Sequence, residues 1–110
     1  IDAVWASDDD MALGAEQAIV EAGREKEMWI LGGAGMKDIV KRVMDKDPMF
    51  PADITYPPSM IATGIQLATS VLEDGDREKV MQFMPQHLMI DVELILPENA
   101  EKYYFPDSVF

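Results

Sequence analysis

Short apolar runs alternate along this chain with stripes at helical spacing. Residues 3–6, Ala-Val-Trp-Ala, read as a short buried strand. The polar corner Ser7-Asp8-Asp9 follows, and then Met11, Ala15, Ala18, Ile19 and Ala22 fall on one face, which predicts a helix over 10–22. Gly23 is its stop signal, and Gly14 inside it is expected to let a neighbour approach closely. The run Met28-Trp29-Ile30-Leu31 is short and apolar throughout, as in a strand of a parallel sheet buried on both faces. Gly32-Gly33-Ala34-Gly35 ends it. A second helix over 36–44 puts Met36, Ile39, Val40, Val43 and Met44 on one stripe, with Lys37, Lys41 and Arg42 on the solvent side.

A polar connection over 45–51 leads to a third strand over 52–56, closed by Pro57-Pro58. Pro58 suits the first turn of a third helix, over 59–72, whose stripe is Ile61, Ala62, Ile65, Ala68 and Leu72. Asp74-Gly75-Asp76 closes it. From there the period changes to two. Leu88, Ile90, Val92, Leu94 and Leu96 alternate with Met89, Asp91, Glu93 and Ile95, which predicts a long strand running over 87–96. Residues 80–84 read as a short partner strand, 97–100 as a turn or short helix start, and 103–110 as an aromatic tail.

Three strand–helix units in succession imply an α/β fold: a three-layer Rossmann-like lobe with a mostly parallel sheet and right-handed crossovers. Parallel strands share one direction, so their carboxyl ends lie along one edge. That edge gathers Ser7-Asp8-Asp9, Gly32-Gly33-Ala34 and Tyr56, and ligands of open α/β sheets bind in the crevice beyond it.

At 110 residues the chain is one domain at most, with an apolar fraction of 48%. No apolar run is long enough to span a membrane, so no membrane insertion is expected. A formal charge of −12 argues against nucleic acid or an anionic membrane as partner. There is no cysteine, which leaves the redox compartment open. A chain that opens almost directly on a strand, with no initiator Met, is expected to be cut from something larger.

The acids at the first corner carry the chemistry. Asp8 or Asp9 can cap the helix, and the others favour the positive end of its dipole. Capping needs one acid, so at least one of the three at 8–10 is expected to face a ligand. An ionised carboxylate accepts several hydrogen bonds, which suits a polyhydroxylated molecule. Trp5 either packs in the core or stacks on a sugar face, and Tyr56, at a strand end, needs a wet or bonded hydroxyl. Gly33 either lets backbone approach a ligand or makes a tight turn.

Enzyme readings find little support, and no catalytic residue, metal or cofactor is expected. The lone His87 lies away from the three strand ends. There is no G-x-S-x-G, no G-x-G-x-x-G and no Walker lysine. The spaced acids of a calcium loop are missing from Asp8-Asp9-Asp10. A receiver domain needs a further Asp and a Lys at strand ends where this chain has Ala34 and Tyr56.

Residues 1–15, IDAVWASDDDMALGA, with Ala18 and Ala22-Gly23, resemble the segment D-A-V-F-A-x-N-D-x-M-A-L-G-A of ribose-type (type I) periplasmic sugar-binding proteins. Residues 29–33 are similar to a family strand ending in G-F-D-G, residues 52–58 to A-T-I-A-Q-x-P, and residues 94–100 to the I-T-x-E-N ending. The resemblance covers nearly the whole chain. It implies an incomplete C-terminal lobe of a two-lobed protein, with residues 87–110 supplying the hinge-return strand and a tail that packs on the absent N-terminal lobe or over the hinge. It also implies a sugar or polyol held between the lobes, delivery to the permease of an ABC importer, and a location in the periplasm or, lipid-anchored, outside a Gram-positive cell. A second family sharing this lobe is the effector-binding domain of lactose-repressor-type transcription regulators.

By this resemblance the family's sugar-binding Asn falls on Asp8, and the Asp after it is kept as Asp9. Its sugar-binding Asp falls on Ala34, beside Gly33, which removes that contact. Its Gln falls on Tyr56. Two of three polar contacts are altered, so a sugar other than ribose, or a polyol, is expected. Made alone, such a lobe is expected to expose apolar surface and to self-associate.

Overall fold

The computed structural model describes residues 1–56, 59–73, 77–84 and 87–108. The chain forms two compact units, residues 1–56 with 92–110, and residues 57–91. The expected closures at Pro57-Pro58 and Asp74-Gly75-Asp76 lie outside the described residues.

In the first unit β1 (Ala3–Trp5) pairs in parallel with β2 (Trp29–Leu31), Val4 facing Ile30. Ala34 bridges Thr55 in parallel, and the short β3 (Asp53–Ile54) pairs antiparallel with β4 (Leu94–Ile95). The first three strand segments thus head the same way, as their apolar runs and intervening helices predict. Ile30 is fully buried, but Trp29 is exposed, so β2 is not covered on both faces. β1 has one strand neighbour among the described residues, and Ile1 and Trp5 stand exposed beside that bare edge.

Helix α1 (Asp9–Glu21) starts where Asp8 caps it, Oδ1 accepting from the Met11 N–H at 3.2 Å. It ends in a Schellman turn: Gly23, at φ +66°, donates to the Val20 carbonyl, and Arg24 donates to that of Ile19. The buried residues are Asp9, Ala12 and Ile19; of the expected stripe, Ile19 is buried and Ala15 is half-buried against the core. Met11 is exposed, and Ala15, Ala18 and Ala22 line an open apolar groove of about 260 Å³ with Ile1, Val4 and Met28. The predicted stripe counted apolar residues only. It left out the buried Asp9. A Cβ on Gly14 would meet nothing within 4 Å among the described residues, so the expected close approach is not seen there.

Helix α2 (Lys37–Met44) buries Ile39, Val40 and Val43 as its stripe predicts, against a core that includes Ile30, Phe50 and Ile95. Arg42 departs from the expected solvent position. Its guanidinium forms a two-pronged bond to Glu16 (2.6 Å each), bonds Asp47 (2.7 Å), and lies 4.2 Å over the Phe50 ring. The helix closes with the same turn as α1, although Lys46, not glycine, takes the positive φ of 60°.

The described part of the tail makes contacts within its own unit. A 3₁₀ helix (Ala100–Tyr103) lies against α2 with Ala100 buried, and the Lys37 ammonium holds the Ser108 carbonyl at 2.7 Å. The turn before it forms as expected, Asn99 accepting from Leu96 N–H and donating to the Leu94 carbonyl.

Two strand expectations are corrected. Residues 80–84 fall largely in helix α4 (Arg77–Phe83), and the long strand over 87–96 contracts to β4. A short apolar run does not distinguish helix from strand, and Arg77-Glu78-Lys79 ahead of it are good helix formers. Residues 88–93 carry no regular structure despite their alternation, since a strand also needs a partner. Before β4 the ladder continues only as Thr55 N–H to the Glu93 carbonyl (2.9 Å), answered by Glu93 N–H to the Thr55 hydroxyl.

In the second unit α3 (Ser59–Glu73) contacts α4. Thr69 and Ser70 return their hydroxyls to carbonyls four residues back. Of the expected core stripe of α3, Ile61, Ile65 and Leu72 are exposed.

Candidate functional site

The three strand ends meet. The Tyr56 hydroxyl donates to the Ser7 carbonyl at 2.9 Å, joining the segment after β3 to the β1–α1 corner. Gly33 lies between them: a Cβ there would come within 3.1 Å of Tyr56 Cε1 and 3.8 Å of the Ser7 carbonyl oxygen. This glycine is therefore a close approach of backbone to an aromatic ring.

The three acids divide their work. Asp8, half-buried, caps α1. Asp10 is exposed. Asp9 was expected to be open to a ligand but points inward and is 1% exposed. Its Oδ1 accepts from Gly33 N–H (2.9 Å) and its Oδ2 from Met36 N–H (2.7 Å). The residue ahead of α2, Met36, has no capping side chain, so a carboxylate from α1 serves that helix start and its dipole. The surplus acid at this corner is thus spent on the next turn. Gly32 makes room for it, since a Cβ there would fall 2.2 Å from Asp9 Oδ1.

Ala34 is 5% exposed, its N–H on the Ile54 carbonyl (2.8 Å), and it holds φ at +131°, a region that side-chain-bearing residues rarely adopt. It brings no polar group to the edge. Trp5 is 75% exposed and not in the core. Tyr56 is half-buried, and its phenol is held above its ordinary pKa, first by burial and then by the charges of Asp8, Asp9 and Asp53.

Asp53 had no expected role. It is fully buried in β3, near enough to Asp9 for the two carboxyls to interact, and its carboxyl is pushed up to about 7, by desolvation first and then by the Asp9 charge. The one acid in the expected strand Ala52-Asp53-Ile54-Thr55-Tyr56 was the available signal. No cluster of three metal-ligating acids, His or Cys occurs among the described residues, and no helix there is long and apolar enough to cross a membrane.

A parallel α/β unit with polar and aromatic groups gathered at its strand ends is the arrangement of ligand-binding α/β lobes. The comparisons narrow the class. The chain is 33% identical, over 102 residues and 90% of its length, to the galactofuranose-binding protein YtfQ of Escherichia coli K12. It superposes on the crystal structure of a galactofuranose binding protein with a TM-score of 0.67 at 30% identity, over 94% of this chain and 33% of that one. On the fructose-binding periplasmic domain of a hybrid two-component system the TM-score is 0.68 at 31% identity, over 94% of this chain and 32% of that one. A myo-inositol binding protein of Caulobacter shares the fold, with a TM-score of 0.68 at 21% identity, over 92% of this chain and 32% of that one. No family model matches the chain. The chain is thus a relative of the type I periplasmic sugar-binding proteins and carries part of their fold. It spans about a third of the length of these relatives.

Proposed function

We propose that the chain is part of the C-terminal lobe of a solute-binding protein and supplies one wall of a cleft for a sugar or polyol. The reading rests on one observation above all: the β1–α1 corner, the β2–α2 turn and Tyr56 meet at the ends of segments that run in parallel. The likeness to galactofuranose- and fructose-binding relatives supports it.

In this reading Asp8 accepts from ligand hydroxyls through whatever capping leaves free, and Tyr56 and Trp5 offer aromatic faces to sugar C–H groups. Gly33 and Ala34 shape the wall without adding a donor or acceptor side chain. Asp9 acts from behind the wall. An N-terminal lobe closes the cleft, and the longer protein, periplasmic or lipid-anchored, delivers its ligand to the permease of an ABC importer. It is a binding protein and not an enzyme.

The test is a thermal-shift screen of the longer protein against pentoses, hexoses including galactofuranosides, and sugar alcohols. At least one is expected to raise Tm, and Asp8→Ala to cut that shift. No shift with any of them overturns the reading.

A further inference from the structure

Asp9 and Asp53 place two carboxyl groups against each other where water does not reach. Asp53 is 0% exposed and Asp9 is 1%. Asp9 has both oxygens engaged by the N–H groups of Gly33 and Met36. Those bonds favour its charged form. Asp53 Oδ1 accepts from its neighbour's N–H, that of Ile54, at 2.8 Å, whereas Oδ2 has no partner. A buried, unpartnered oxygen is costly, and so is a second negative charge beside the first. One proton resolves both: a hydroxyl on Asp53 donates to the Asp9 carboxylate.

We propose that Asp9 and Asp53 share a single proton and act as one positioning pair, which pins the β2–α2 turn to the sheet and loosens it when the proton leaves. The groups acting on the pair are Asp8 on α1, Tyr56 beyond β3, and the N–H groups of Gly33, Gly35 and Met36 in the β2–α2 turn. Across the sheet, β4 offers Asp53 only the apolar Ile95. Losing the proton leaves two buried carboxylates repelling each other, and Asp9 is then driven from the turn that carries Gly33 and Ala34. Nothing in this depends on the identity of the ligand, or on there being one.

The sign follows from linkage. Asp53 titrates near 3.8 when unfolded and at about 7 in the fold, so the fold holds a proton that the unfolded chain has released. The stability this confers is full below the lower value and is lost as pH rises through the upper one.

Two measurements on the 110-residue chain test the pair. The first follows the Asp53 carboxyl carbon by NMR through a pH titration. A midpoint near the expected value of about 7 supports the pair, and a midpoint in the ordinary carboxyl range, about 4, overturns it. The second compares thermal unfolding from about pH 5 to about pH 8 with that of Asp53→Asn, whose amide keeps a donor toward Asp9 and cannot titrate. The unsubstituted chain is expected to lose about 5 °C or more of Tm across that window, and the variant markedly less. Equal losses in the two proteins overturn the proposal.

Discussion

The turns after β1 and β2 occupy equivalent places in successive strand–helix units, yet they are built from opposite materials. The β1–α1 corner is made of side chains: Asp8 caps its own helix and Asp9 reaches across to the next turn. The β2–α2 turn is made of backbone, Gly32-Gly33-Ala34-Gly35, and supplies no capping side chain for its helix. One corner is self-sufficient and the other leans on it. The apolar stripe of α2 can therefore be entirely regular while the start of that helix depends on a residue more than twenty positions earlier.

The dependence can be broken from either side. Asp9→Ala leaves the Gly33 and Met36 N–H groups without an acceptor and is expected to cost about 3 kcal/mol in urea unfolding, partly offset by the relief of Asp53. Asp8→Ala removes a local cap only, and a loss as large as that for Asp9 would show that the two corners do not differ in this way.

From the other side, Gly32→Ala drives a methyl group into Asp9 Oδ1 and is expected to cost about 2 kcal/mol, with amide shifts at both Gly33 and Met36. Ala34→Gly frees the residue at φ +131° and is expected to stabilise the chain by about 1 kcal/mol, read as a higher urea midpoint at unchanged slope. Asp8→Ala is expected to cost about 1 kcal/mol, with fraying confined to the first turn of α1.

Much of this frame was legible in the residues. The apolar runs at 3–6 and 28–31 gave β1 and β2, and Gly23 gave the end of α1, because those signals act over a few residues. What escaped was set at a distance. Asp9 reads as one more acid at a helix start until Gly33 and Met36 are beside it. Asp53 reads as a break in a strand until Asp9 faces it. The alternation over 88–93 predicted a strand that does not form there, because pairing depends on a neighbour that periodicity does not specify. For α4 the short apolar run was ambiguous, and the charged residues ahead of it decided the outcome. The segments resembling sugar-binding proteins were recognisable from residue types alone, because glycines, acids and alanines at a strand–helix corner are constrained one by one.

Arg42 gripping Glu16 while lying over Phe50 has an effect on motion. One cation rivets two helices and the loop after the second, and its partners are half-shielded, so salt weakens the grip less than it would on an open surface. The amides of α1 and α2 should then exchange with solvent as one cooperative block, opening together rather than helix by helix.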